Sequence, residues 1–177
     1  MSGPDVLETP RLTLRVFDEH DLDALESVHG DPRVMHFSVS GPKTRDQIRR
    51  FIYNMQARHQ RDGHGQWAVV WKATGQCIGE CGILLQPVES DHEHEIGYRL
   101  NANFWGRGIG TEAATACRNY GFATLGLDRL VSIIDPRNLA SIRVAEKVGM
   151  VREKSAVFHG IPVSIYAIRR GAAPLSS

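Results

Sequence analysis

Only three cysteines occur among 177 residues, Cys77, Cys81 and Cys117. An odd number without regular spacing offers no disulfide framework and fits a reducing, cytoplasmic compartment. Cys77 and Cys81 lie four apart in a strand-like segment, so alternation predicts one shared face and a role as small core side chains. No run approaches the ~18 consecutive apolar residues of a membrane span. The start, Met1-Ser-Gly-Pro-Asp5, has no basic region followed by an apolar stretch, so no secretory signal is expected. Neither sign of charge dominates: 21 basic and 20 acidic side chains leave a formal +1. That field is too weak for a strong nucleic-acid or membrane binder, although it leaves room for a local patch. With 42% apolar residues the chain is not disordered. No linker, repeat or low-complexity segment interrupts it. The reading is one domain over residues 1–177, with short flexible ends at about 1–4 and 171–177.

What is present is a run of short elements. Arg11 to Val16 alternates as a half-buried strand. Asp18 is placed to cap a short helix through Leu22, Leu25 and Val28, and Thr44 a second, Arg-rich helix that stops at Asp62-Gly63. Strands follow at Gln66–Trp71, Cys77–Leu85 and Glu93–Leu100, with Pro87 to Asp91 as a break. A helix from about Gly110 to Ala123, a β-branched strand at Arg129–Ile134, a helix over Asn138–Val148 ended by Gly149, and a hairpin of Val151–Phe158 with Val163–Arg169 complete the order. This β-α-α-β-β-β-α-β-α-β-β pattern implies a mixed sheet of about seven strands with helices on both faces, neither doubly wound nor a barrel.

Trp105-Gly-Arg-Gly-Ile-Gly-Thr-Glu112 is the most informative stretch. Three glycines between a strand and a helix allow close backbone approach to a ligand. The amides of Arg107, Gly108, Ile109, Gly110 and Thr111 would be unpaired donors at the positive end of the helix, a cradle for phosphate oxygens, and Arg107 adds a charge. The spacing is not Gly-x-Gly-x-x-Gly, and no Gly-Lys-Ser/Thr follows, so neither a dinucleotide fingerprint nor a nucleotide P-loop is indicated. A ligand-free turn is the competing reading.

With this loop in view, the chain resembles the GNAT superfamily of acyl-CoA-dependent N-acyltransferases, closest to its RimJ/RimL-like branch, the ribosomal-protein N-terminal acetyltransferase type. Four segments carry the resemblance in order: Leu7-Glu-Thr-Pro-Arg-Leu-Thr-Leu-Arg15; Ile78-Gly79 with Glu95-Ile-Gly-Tyr98; Phe104-Trp-Gly-Arg-Gly-Ile-Gly-Thr-Glu-Ala113; and Asn138-Leu-Ala-Ser-Ile-Arg-Val-Ala-Glu-Lys-Val-Gly-Met150. Trp105 stands where the wider superfamily has Gln or Arg, as in that branch. The resemblance implies a mixed, mostly antiparallel GNAT-like sheet and acetyl-CoA as acyl-donor cosubstrate. Its phosphates would lie on Trp105, Gly106, Arg107, Gly108, Ile109, Gly110 and Thr111. Its pantetheine arm would lie along Tyr98 and Leu100, where this strand splays from the one ending at Ile134. Asn138 would reach the arm's amides, or simply cap its helix.

Acetyl transfer to a primary amine by direct attack in a ternary complex needs a base, a polarised carbonyl and an acid for the leaving thiolate. The family often uses a strand carboxylate as base, which points to Glu95, then Glu93, then His94; alternation places the two glutamates on one face and the histidine on the other. Many members carry a Tyr acid seven residues after the Asn; here that position is Ala145, which leaves Ser141 or solvent. No metal is implied: His92 and His94 lack a third ligand. The acceptor, a protein N-terminus or a small amine, would sit between His29–Thr44, with Met35, His36 and Phe37, and Phe158–Pro162. No nucleic acid or membrane partner is expected, and a homodimer stays open. A catalytically inactive CoA-binding module of the same fold is the alternative.

Overall fold

The structure, a computed structural model, describes residues 5–172. Eight strands form one sheet in the order β1-β2-β3-β4-β5-β6-β8-β7. They are β1 (Asp5–Glu8), β2 (Leu12–Arg15), β3 (Gln66–Trp71), β4 (Gln76–Val88), β5 (Asp91–Leu100), β6 (Arg129–Ile134), β7 (Val151–Phe158) and β8 (Ile161–Arg169). Every pairing is antiparallel except β5 with β6. The helices are α1 (Leu22–His29), α2 (Arg45–Asp62), α3 (Ile109–Ala123) and α4 (Leu139–Lys147). This is the expected mixed α/β architecture. The strand beyond the anticipated seven is β1, which the Thr9-Pro10-Arg11 turn separates from β2 and folds back on it. The expected ends at 1–4 and 173–177 lie outside the described residues, whereas Gly171 and Ala172 still close a turn through Ala172 N–H to Arg169 O at 3.1 Å.

Local chemistry explains the helix starts. Thr44 and Gln47 form a reciprocal capping box on α2, and Gly63 ends that helix in the left-handed region at φ 72°. Asp18 caps a single 3₁₀ turn, Glu19–Asp21, that runs directly into α1. The arginines of α2 form a solvated face: Arg45 pairs with Asp23 and Glu26 of α1, and Arg49 with Asp46.

The sheet carries three apolar clusters, one of them around Val131, Ile165 and Ala167, and the other two lie beneath the helices. Leu12, Leu14, Trp67, Val69, Cys81, Ile83 and Ile96 meet α3 and α4 on one face. Phe17, Ala68 and Cys77 meet α1 and α2 on the other. Each fully buried leucine contributes ~1.5–3 kcal/mol. Cys77 and Cys81 therefore face opposite sides, against the alternation argument. The cause is a β-bulge: Val69 pairs with Gly79 but Val70 with Cys77. Gly79 sits there at φ 150°, and a Cβ would lie 2.1 Å from Arg99 O. Pro87 does not break β4, which runs on to Val88. β3 pairs with β4 only as far as Gly82. Pro87 thus lies on an open edge, where its missing N–H costs no ladder bond.

Candidate active site

β5 and β6 share a single paired position, Glu95 with Val131. Beyond it the two strands diverge and leave backbone groups of β5 without a sheet partner. Ser132 Oγ–H donates to Ile96 O at 2.9 Å at the point of divergence. The mouth of this splay is lined from the α3 side by the glycine loop and from above by the start of α4.

α3 begins at Ile109 with Gly108 as N-cap in the left-handed region, φ 74°, and without a capping side chain. Among the described residues no carbonyl outside the helix receives the amides of 107–111. The first-turn donors are thus free, as an anion cradle requires. Two cations border it. Arg107 lies 5.5 Å from the Trp71 ring centre and 5.4 Å from that of Phe104. Arg11 lies 5.8 Å from Trp71 and donates to Arg107 O at 2.9 Å. Glu112 pins Arg11 through its Nε at 2.6 Å and its backbone N–H at 2.9 Å. Trp67 is core, but the Trp71 ring lies within about 6 Å of two guanidinium groups. Sequence reading did not single out Arg11, because its partner lies 101 positions away.

Trp105 ties the loop to β5: its indole N–H donates to Leu100 O at 2.9 Å. The Leu100 side chain is buried and packs over Gly110, so only its backbone faces the splay. Tyr98 spans the splay, with its hydroxyl donating to Ser141 O at 3.3 Å. Burial raises the Tyr98 pKa, with the Ser141 contact opposing, which makes it a poor acid. Asn138 acts as the cap of α4, its Oδ1 accepting from Ser141 N–H at 3.1 Å. The Ser141 hydroxyl has no protein partner among the described residues, while its backbone carbonyl accepts from Tyr98. Ala145 is buried at 2% exposure, so position 145 belongs to the core.

The strand carboxylates separate sharply. Glu93 is held by Arg129 through two 3.0 Å bonds, and Arg129 also binds Glu153. Both Glu93 oxygens are engaged by Arg129, and the structure does not bring Glu93 into the splay. His94 points to the α3 side, near His64 at 6.1 Å between rings; burial lowers its pKa. Glu95 is different: half-buried, it accepts only from the neutral Gln86 amide at 2.9 Å among the side chains described. Burial raises its pKa, with the Gln86 bond and the Arg99 charge opposing.

A second group went unrecognised in the sequence. Glu80 is fully buried between His29 Nε2 and Arg99 Nη1, each at 2.9 Å. Burial opposes its charge, but the His29 and Arg99 contacts outweigh it and hold its pKa down at about 2. The three residues come from α1, β4 and β5, so no local pattern marks them. Of the expected acceptor walls, Met35 is buried, while Arg137 lies 5.9 Å from the Phe37 ring and pairs with Asp135 at the end of β6. All three cysteines are buried free thiols; burial pushes Cys77 up to about 12. No cluster of metal-ligating side chains occurs among the described residues, and no helix of the described residues is long and apolar enough to cross a membrane.

A family model described as an acetyltransferase (GNAT) domain matches residues 11–151. The uncharacterized protein YkkB of Bacillus subtilis (strain 168) is 36% identical over 167 residues, covering 94% of this chain and 96% of that protein. The crystal structure of an acetyltransferase from Agrobacterium tumefaciens superposes with a TM-score of 0.80 at 32% identity, covering 96% of each chain. RimL, a ribosomal alpha-N-protein acetyltransferase solved with coenzyme A, superposes with a TM-score of 0.78 at 20% identity over 94% of this chain and 98% of that one; this likeness is one of fold.

Proposed function

Since this chain belongs to the acetyltransferase (GNAT) family and is an N-acetyltransferase, we propose that it moves the acetyl group of acetyl-CoA directly to a primary amine within a ternary complex. The observation that carries this reading is the uncapped α3 N-terminus beside a sheet that splays after one paired position. These features fit the donor: free amides for its phosphates, and unpaired β5 backbone for an extended amide-bearing arm. Arg107 and Arg11 supply charge at the loop, and the Gly108 conformation aims the amides. Trp105 and Tyr98 act by holding loop, strand and α4 together, and Asn138 by capping α4.

Acetyl-CoA supplies the acetyl group and a thiolate leaving group. The remaining roles fall to the chain. Glu95, kept basic by its desolvated setting, removes the proton from the ammonium. A backbone N–H of β5 beyond Glu95 polarises the carbonyl oxygen. The Ser141 hydroxyl, without a protein partner among the described residues, returns a proton to sulfur. The whole chain acts as one domain, in a reducing cytoplasmic setting that the three free thiols support. The acceptor is a protein N-terminus, as the RimL-like fold suggests, or a small amine.

The test is thiol release from acetyl-CoA with a panel of peptides, amino acids, polyamines and aminoglycosides. Amine-dependent release, slowed in Ser141→Ala, is expected. Tight CoA binding without release above background on any amine would instead make this an inactive CoA-binding module.

A further inference from the structure

The acceptor side of the splay has a defined electrostatic order. Along β5, Glu95, Gly97 and Arg99 share the face turned toward α1 and α2. The Glu80 carboxylate is consumed, one oxygen by His29 and the other by Arg99. Arg99 is not consumed: its side chain is 35% exposed, and among the described residues only its Nη1 has a protein partner. Glu80 thus fixes the guanidinium at one corner and leaves its other donors open. Gly97 keeps the row clear, since a Cβ there would come within 3.2 Å of Gln66 Nε2.

A second cation belongs to the loop anchored on His29, the residue that shares the Glu80 carboxylate with Arg99. The Lys43 backbone N–H donates to His29 O at 2.9 Å, which ties the loop before α2 to the end of α1. Its ammonium donates to the neutral Ser40 hydroxyl at 2.6 Å, with no carboxylate partner among the described residues. Burial first, then the nearby Arg99 charge, lowers its pKa, with Glu80 opposing. Of the carboxylates near this face, Asp135 is paired with Arg137 and Glu93 with Arg129, while Glu95 accepts from the Gln86 amide.

Resting on the N-acetyltransferase reading with Glu95 at the amine, we infer that the acceptor is an amine that also carries a carboxylate, held by Arg99 and Lys43. Glu95 meets the ammonium at one end of the row, and the two cations meet the carboxylate at the other. Four residues of strand separate their Cα atoms by ~13 Å, a span that a short acidic peptide bridges once both side chains lean inward. A polyamine would bring a second ammonium against two cations, where the described carboxylates Glu80, Glu93 and Asp135 are already paired.

The experiment compares kcat/KM for alanyl-glutamate, alanyl-glutamine amide and spermidine, by thiol release at saturating acetyl-CoA. The two dipeptides have equivalent amines and differ in their carboxylates. A preference of about tenfold or more for alanyl-glutamate is expected, the scale of one charge-assisted bond. In Arg99→Ala and in Lys43→Met this ratio falls toward one, which a purely structural role would not produce. Lys43→Met changes a loop side chain outside the buried trio, so it reports even if Arg99→Ala fails to fold. A wild-type ratio near one, a preference for spermidine, or an undiminished ratio in Lys43→Met overturns the inference and leaves the acetyltransferase reading standing. No turnover of any amine overturns both.

Discussion

Replacing Gly108 by valine perturbs the loop at one backbone angle. Gly108 sits at φ 74°, with open space around an added Cβ except for Arg11 Nη2 at 3.6 Å. Sterically, then, a side chain has room; the cost is conformational. A non-glycine residue in this region costs ~1–2 kcal/mol, and a β-branched one sits at the upper end. The chain either bears that strain or relaxes out of the left-handed region. Relaxation turns the amides of Ile109, Gly110 and Thr111 away from the point where they converge. Losing two charge-assisted bonds of ~1.5–3 kcal/mol each weakens binding by ~10²–10⁴-fold. The fold itself loses no more than the strain, so Tm falls by ~2–8 °C for a chain of this size. Isothermal titration with CoA and a melting curve on the same sample give both numbers. A Tm near that of wild type, the sign of a relaxed loop, with CoA affinity within threefold of wild type would refute the cradle argument, because the amides would then have turned away without mattering to the ligand.

Two further outcomes follow from the carboxylates. Because burial raises the Glu95 pKa, wild-type kcat/KM should fall as pH drops through that raised value; Glu95→Gln should lower kcat by ~10²–10⁴-fold and abolish that acidic limb. The native state binds this proton more tightly than the unfolded chain does, so the ionised Glu95 costs stability above its raised pKa. Glu95→Gln should therefore melt no lower than wild type at pH 8, and a lower Tm there would show the carboxylate to be structural. Glu80 has the opposite sign: its pKa is held at about 2, so its contribution is complete above the unfolded value of ~4.3 and drains as pH falls from there to about 2. Glu80→Gln should cost ~3–5 kcal/mol in urea unfolding at pH 7, since it leaves His29 and Arg99 without their buried partner; a loss below 1 kcal/mol would show that the trio is solvated.

Much of the fold was legible because its signals are local. Thr44 and Gly149 act on backbone groups within a few positions, so composition at those points placed the start of α2 and the end of α4 within one or two residues, while Asp18 marked the 3₁₀ turn ahead of α1. β3 and β6 fell where their apolar runs fell. β1 escaped notice because four residues ahead of a proline turn carry almost no period. Pro87 misled because a proline interrupts a strand only where its N–H would face a neighbouring strand, and position 87 faces the side on which β3 has already ended.

The sequence by itself determined the order of elements, the glycine loop and the uncapped helix it opens, since glycine spacing and missing caps are backbone properties that need no partner. Only the tertiary structure decided which charges are available. Glu93 and Glu95 are equivalent by alternation, yet Arg129 of β6 neutralises one and a Gln86 amide leaves the other desolvated. Cys81 changed face because one extra residue at the Gly79 bulge inverts the alternation beyond it. Glu80 and Arg11 acquire their roles from partners 51 and 101 positions away. A carboxylate's pKa depends on the charges and water within a few ångströms, and folding, not neighbourhood along the chain, brings those together.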